Sequence, residues 1–141
     1  MAKDALQVAL HFLKFRPRSV FEIERKLKQK GIINSEINKV VAVLKKNKLL
    51  DDAEFAKMWV RDRNLLKPTG AYLLKLELKR LGLSEENIET ALKDQDEEEL
   101  AKLALEYKYR EREIDYEKKV SFLQRRGFST SIIYKVTNKS N

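Results

Sequence analysis

The feature that most constrains this chain is a short pattern repeated three times, each time around a glycine: Gly31, Gly82 and Gly127. Apolar residues stand four positions before each glycine and one, six and nine positions after it. These residues are Leu27, Ile32, Ile37 and Val40; Leu78, Leu83, Ile88 and Ala91; and Leu123, Phe128, Ile133 and Val136. Self-similarity of this kind is typical of repeat architectures, so we expect three related units.

Each copy of the pattern predicts a helix that ends at the glycine and a second helix that follows it. Glycine adopts the left-handed conformation at little cost, and the apolar residue after it can fold back onto the last helical turn. Asn34, Ser84 and Ser129 are predicted to cap the helix that follows. A further apolar stripe upstream predicts a first helix in each unit. The residues on these stripes are Ala5, Leu6, Ala9, Leu10 and Leu13; Phe55–Val60 with Leu65 and Leu66; and Leu100–Tyr107.

Helix start signals support the same division of the chain. Ser19 with Glu22 and Asp51 with Glu54 fit capping boxes, and Asp115 is a candidate cap. The segment Pro68–Gly70 is predicted to break the chain before the middle helix of the second unit. We therefore predict an all-α fold, an elongated array of nine helices in three three-helix repeats at residues 2–48, 51–94 and 96–139.

Composition agrees with a helical protein and argues against several classes. The chain has only 4 Gly and 2 Pro, with 37% charged and 43% hydrophobic residues. No apolar run approaches the roughly 20 residues that a membrane span needs, and the N-terminus lacks the pattern of a signal peptide. There are no cysteines, which excludes disulfides. We expect a soluble, cytoplasmic monomer.

The positive charge is concentrated in the first third of the chain. Residues 1–50 hold 12 Lys or Arg against 4 Asp or Glu, residues 51–97 hold 8 against 11, and residues 98–141 hold 10 against 7. The net charge of +8 alone is compatible with ordinary solubility. Its clustering favours an anionic partner that meets mainly the first third.

Catalytic and metal chemistry finds little support in the sequence. His11 is the one histidine, so neither a transition-metal site nor a histidine-activated nucleophile is expected. No glycine-rich loop for a nucleotide cofactor is present. The carboxylates of Asp51, Asp52 and Glu97–Glu99 could bind Mg²⁺, but helix capping explains them better. We expect a protein that is not an enzyme and has no cofactor.

A few aromatic residues of the chain could stack on bases. Trp59 is predicted to lie in the core, since it shares a stripe with Phe55 and Ala56. Tyr107 and Tyr109 cannot share one helix face, so at most one of them stacks outward. A helix-turn-helix reading is weak, because the third helix of unit two begins with glutamates and no unit carries an Arg, Asn or Gln set for bases. Sequence-neutral phosphate contact remains possible.

Four segments of the chain carry distinctive motifs. Arg16–Ser19 has the pattern R-x-R-S, and Glu22–Gly31 follows it. Leu50–Arg63 combines LDD, FA and WV with an arginine, and Phe122–Ser129 closes the chain's pattern. Together these motifs resemble those of the RecX recombination regulators. The resemblance covers nearly the whole chain, and Leu50–Arg63 is its most specific part.

The resemblance implies a binding protein that lies in the groove of the RecA recombinase filament on single-stranded DNA. Such proteins restrain the recombinase, including its ATP hydrolysis, strand exchange and repressor self-cleavage. The residues predicted to contact acidic or phosphate surfaces are Arg16, Arg18, Arg25, Lys26, Lys28, Lys30, Arg125 and Arg126. Each could equally lie on a solvated helix flank. The alternative function is sequence-neutral DNA binding without the recombinase.

Overall fold

The computed structural model describes residues 4–110 and 112–138. These residues form helices and no strand, as the all-α prediction requires. Every helix among them is too short or too polar to cross a membrane. The helices are α1 (Ala5–Leu13), α2 (Val20–Gln29), α3 (Asn34–Lys46), α4 (Asp52–Leu66), α5 (Ala71–Arg80), α6 (Glu85–Leu92), α7 (Glu97–Tyr109), α8 (Tyr116–Arg125) and α9 (Thr130–Thr137).

The helices pack in consecutive groups of three, and each group encloses its own apolar core. Leu27, Leu78 and Leu123, which precede the three glycines, are each fully buried. The helix repeat is therefore confirmed. The limits of the repeats at 2–48, 51–94 and 96–139 stay a prediction, and residues 2, 3 and 139 lie outside the described residues.

The glycine turns have the predicted geometry. Gly31, Gly82 and Gly127 have φ angles of 80°, 81° and 91°, which only glycine adopts cheaply. The backbone N–H of the residue after each glycine donates to the carbonyl four residues before that glycine, at 3.1 Å in all three turns. This is the bond of a Schellman closure, so the same short sequence builds the same turn three times.

Helix caps are predicted well, with two corrections. Ser19 and Glu22 form a reciprocal capping box, and side-chain caps at Ser84, Asp115 and Ser129 are confirmed. Asn34 is not a cap, because each third helix is capped two positions after the glycine and Ile33 occupies that position. Asp51 caps α4 by accepting from the Glu54 N–H at 3.1 Å, whereas the Glu54 carboxylate pairs with Lys57.

Three leucines predicted on core stripes are exposed instead. Leu10 is 42% exposed, since Val8 takes the buried side of α1. Leu65 and Leu66 are each 77% exposed. The buried residues of α4 all precede Arg61, so the last turn of this helix extends past the core that the helix covers.

Equivalent residues join consecutive units. The backbone N–H of Val20 donates to the Asp52 carboxylate at 2.9 Å, and that of Ala71 donates to the Glu97 carboxylate at 2.8 Å. In both cases the start of a middle helix meets the start of the next unit's first helix. Of the carboxylates suspected of metal binding, those of Asp51, Asp52 and Glu97 therefore accept hydrogen bonds from the backbone. The described residues contain no group of three side chains suited to a metal ion.

Candidate nucleic-acid interface

The first unit contains a cleft between α1 and α2 that combines aromatic rings with positive charge. We call it the first-unit cleft, and its volume is about 680 Å³. No acidic side chain lines it, and three of its residues belong to the predicted binding set. The lining residues are Gln7, Val8, His11, Phe12, Phe15, Arg18, Lys26 and Lys30.

Helical spacing brings these side chains together from both walls of the cleft. Lys26 and Lys30 are four residues apart on α2, so they share a face. His11 and Phe15 have the same spacing at the end of α1, and their rings meet edge to face at 5.2 Å. The Phe15 ring is 69% exposed. Ammonium groups beside an exposed ring suit the backbone and the bases of a single strand.

Phe12 organises the cations inside the cleft. The guanidinium carbon of Arg18 lies 3.7 Å from the centroid of its ring, and the Lys26 ammonium lies 5.1 Å away. Cation–π contacts of this kind restrict where long side chains can go. Phe12 and Phe15 were not among the predicted site residues. The sequence signal for Phe15 was its position four residues after His11, beside a basic helix.

Arg18 is fixed by the fold more than the sequence suggested. Its Nε donates to the Phe12 carbonyl at 3.2 Å, Nη1 lies 3.8 Å from a Glu22 oxygen, and the side chain is 12% exposed. Burial lowers the pKa of Arg18, the positive charge of Arg16 lowers it further, and Glu22 partly opposes both. An arginine remains cationic at neutral pH, so Arg18 supplies charge to the cleft from a fixed position.

Arg16 is paired within the same loop. It forms an ion pair with the Glu22 carboxylate, and its Nη1 also donates to the Pro17 carbonyl at 2.8 Å. Glu22 accepts the backbone N–H of Ser19 as well, at 3.0 Å. Arg16 therefore stabilises the turn before α2, which leaves Lys26 and Lys30 as the more available cations.

The structure does not gather the whole predicted set. Arg25 lies with Lys26 in a second, smaller groove that reaches Arg80 and Leu81 of the next unit. Lys28 is exposed and lines neither of these two surfaces. The cations of α2 are thus distributed around the helix, and only those four residues apart converge on the first-unit cleft.

Arg126 has a structural position that the sequence did not predict. Its Nε donates to the Pro68 carbonyl at 3.2 Å, and its Nη2 donates to the same carbonyl at 2.5 Å and to Thr69 Oγ1 at 3.1 Å. Burial lowers its pKa, and the nearby charge of Arg63 lowers it further. Arg126 therefore joins units two and three, while its predicted contact with acidic or phosphate surfaces stays a prediction. Arg125 is exposed.

The motif most specific to the family resemblance supports the second unit. Trp59 packs against the core as predicted, and its Nε1 donates to Glu77 at 2.9 Å. Arg63 donates to the same carboxylate at 2.8 and 2.7 Å. Burial alone would raise the pKa of Glu77, but the bonds from Arg63 and Trp59 outweigh it and hold the pKa below its usual range. These residues are engaged within the fold.

Comparison with known proteins identifies relatives of the chain. A family model described as RecX, first three-helix domain, matches residues 5–44, and one described as RecX, second three-helix domain, matches residues 51–92. The regulatory protein RecX of Thermotoga maritima is 37% identical over 143 residues, covering 98% of this chain and 85% of that protein. The regulatory protein RecX of Leuconostoc mesenteroides is 34% identical over 136 residues, covering 91% of this chain.

The chain spans about half the length of several curated relatives, including 51% of the Leuconostoc protein. Among solved structures, that of RecX from Lactobacillus salivarius superposes with a TM-score of 0.80 at 24% identity, and 96% of each chain is covered. A second RecX crystal structure gives a TM-score of 0.75 at the same identity. At this identity the structural likeness shows the fold.

Proposed function

The chain belongs to the RecX family of regulatory proteins, and we propose that it regulates the RecA recombinase by binding the filament on single-stranded DNA. The first-unit cleft is the observation that carries this proposal. It places two available ammonium groups, a fixed guanidinium and an exposed ring along one groove whose lining contains no acidic side chain. The protein acts here as a binding partner and not as an enzyme.

In this proposal Lys26 and Lys30 bind successive phosphates of the strand, and Phe15 stacks on a base or a ribose. Such contacts read no sequence, because every base has a face that can stack. Arg25, Lys28 and Arg125 are proposed as outer contacts to acidic or phosphate surfaces, whereas Arg16, Arg18 and Arg126 act mainly by holding the chain in shape. The repeated units would lie along the helical groove of the filament and restrain ATP hydrolysis and strand exchange.

The proposal is tested by the recombinase's ATPase activity on single-stranded DNA, with and without this protein, alongside the protein's affinity for the same bare DNA. We expect ATP hydrolysis to fall when the protein is added to preformed filaments. The variant Lys26→Glu with Lys30→Glu should lose most of that effect. Lys45→Glu with Lys46→Glu is a matched control, since both lysines are exposed at the end of α3 and line neither groove of the first unit.

The same cleft also favours a second candidate, a sequence-neutral DNA-binding protein that acts without the recombinase. The two candidates differ in the filament measurement. Tight binding to bare DNA with no effect on preformed filaments would contradict filament regulation and support the second candidate. If the cleft variant affects filaments as strongly as the original chain, filament regulation is supported, but this cleft is excluded as the contact surface.

A further inference from the structure

A further groove lies between units two and three, away from the first-unit cleft on which the filament proposal rests. We call it the junction groove, and its volume is about 270 Å³. The apolar side chains that line it are Leu66, Pro68, Ala104 and Phe122, with Tyr107 beside them. Its size lies just below the roughly 300 Å³ at which sites for drug-sized ligands begin, which suits one large side chain.

Two of the residues that form the apolar lining of this groove remain accessible to solvent. Leu66 is 77% exposed and Tyr107 is 62% exposed. Tyr109, by contrast, turns inward and meets the Phe122 ring edge to face at 5.7 Å. Exposed apolar surface gathered around a concave site marks an interaction surface more often than scattered single residues do.

The rim of the junction groove is basic. Lys67 and Lys108 line it together with Arg126, and no acidic residue is among its lining side chains. Neither lysine forms an ion pair with a carboxylate of the described part of the chain. Arg126 uses Nε and Nη2 to bind Pro68 and Thr69, and its Nη1 makes none of these bonds. The groove therefore pairs an apolar floor with one fixed guanidinium and two exposed ammonium groups.

We propose that the junction groove docks a short acidic peptide segment of a partner protein, with one large apolar side chain as its anchor. The anchor enters between Leu66 and Phe122, and the flanking carboxylates meet Lys67 and Lys108. Charge complementarity selects an acidic segment, and the small apolar floor selects a side chain. A nucleic-acid strand fits less well, because Leu66, Pro68 and Ala104 offer no flat surface for a base. The Phe122 ring already packs against Tyr109, which leaves Tyr107 as the accessible ring.

The probe for this proposal is a short fluorescein-labelled peptide with a central phenylalanine flanked by glutamates. Its binding to the full chain is measured by fluorescence anisotropy. Leu66→Ser should weaken binding about tenfold, in line with the loss of one buried apolar anchor. Leu65→Ser is the matched control, because Leu65 has the same 77% exposure one residue away and does not line the groove. Since both leucines are exposed, neither change should unfold the chain.

A second pair of variants tests the charge. Lys67→Glu with Lys108→Glu should weaken peptide binding further and remove most of its salt dependence. Lys102→Glu, on the same helix as Lys108, should change neither the affinity nor its salt dependence. A peptide in which lysines replace the glutamates should not bind. Equal affinity of Leu66→Ser and Leu65→Ser, or no binding of the acidic peptide, would overturn the proposal.

The same variants also distinguish two other possible occupants of the junction groove. If a single-stranded oligonucleotide binds more tightly than the peptide and Lys67→Glu with Lys108→Glu abolishes that binding, the groove is a nucleic-acid site and the proposal is wrong. If sedimentation shows a dimer that Leu66→Ser dissociates, the occupant is a second copy and the proposal is also wrong. The variant Lys26→Glu with Lys30→Glu should bind the peptide normally, so failure here is separable from failure of the filament proposal.

Discussion

The first-unit cleft and the contact between units two and three both contain cations that the sequence marks as binding residues, yet the two regions use them differently. In the cleft, the Lys26 ammonium lies over the Phe12 ring, and Lys30 lines the same open groove. At the second contact, Arg126 donates to the Pro68 carbonyl and to Thr69. A basic residue in a repeat protein can thus serve a partner or the neighbouring unit, and its hydrogen-bond partners decide which.

The largest expected effect tests how closely units two and three pack at their contact. Gly127→Ala places a Cβ 2.4 Å from the Leu73 Cβ at a φ of 91°. Left-handed strain and overpacking together should cost about 3–5 kcal/mol of unfolding free energy. Urea unfolding measures it.

Gly31→Ala is the control for that change. It has a similar φ of 80° but nothing within 4 Å of the added Cβ, so it should cost only about 1–2 kcal/mol. Equal losses in the two variants would mean that contact between units does not constrain Gly127.

A smaller effect separates the two adjacent arginines. Arg126→Ala leaves the buried Pro68 carbonyl without its guanidinium donors, and an unsatisfied buried acceptor costs about 1–3 kcal/mol. Arg125→Ala should change the unfolding free energy by less than about 0.5 kcal/mol, because Arg125 is exposed. Thermal or urea unfolding of the two variants checks this. If Arg125→Ala lost as much stability as Arg126→Ala, the distinction between cations bonded within the fold and cations available to a partner would be wrong.

The smallest expected effect is a pH dependence near the same contact. Arg63, Trp59 and the charge of Arg126 hold the pKa of Glu77 below its usual range, although burial opposes them. Because the folded pKa is lowered, this stabilisation is complete above the unfolded pKa near 4.5 and is lost as the pH falls through the folded value. This stabilisation is about 1 kcal/mol or less, because the ion pair between Arg63 and Glu77 stays partly accessible to solvent.

Replacing the carboxylate tests this assignment. Glu77→Gln should flatten the acid side of the stability profile, measured by urea unfolding between neutral and acidic pH. Lys26→Gln with Lys30→Gln should leave that profile as it is in the original chain. A profile that Glu77→Gln does not alter would mean that other carboxylates carry the acid sensitivity.

Local signals in the sequence predict the fold well, because they act within a few residues. The turns at Gly31, Gly82 and Gly127 depend on backbone geometry, and the serine caps at Ser19, Ser84 and Ser129 depend on bonds to residues a few positions away. Asn34 was misplaced because a polar residue one position late looks like a cap, and only the common spacing from the glycine shows that Ile33 stands there. Leu65 and Leu66 continue an apolar stripe whose core has ended.

The candidate site is less predictable because it depends on contacts between distant residues. Net charge located the first third of the chain but could not distinguish Lys30, which lines the cleft, from Lys28, which does not. The bond from Arg126 to Pro68 spans 58 residues, and no local pattern signals it. The family motif around Trp59 and Arg63 suggested function by its specificity, whereas its side chains meet Glu77 and stabilise the second unit.

The central claim is that Lys26 and Lys30 contact phosphates of the single strand within the filament. The most direct measurement is the salt dependence of affinity for filaments held with a non-hydrolysable ATP analogue, for the original chain and for Lys26→Gln with Lys30→Gln. Two lost single-strand phosphate contacts should reduce the slope of log affinity against log salt by about 1.4. Lys45→Gln with Lys46→Gln should leave the slope unchanged. An unchanged slope in the cleft variant, or an equal reduction in the control, would contradict the account.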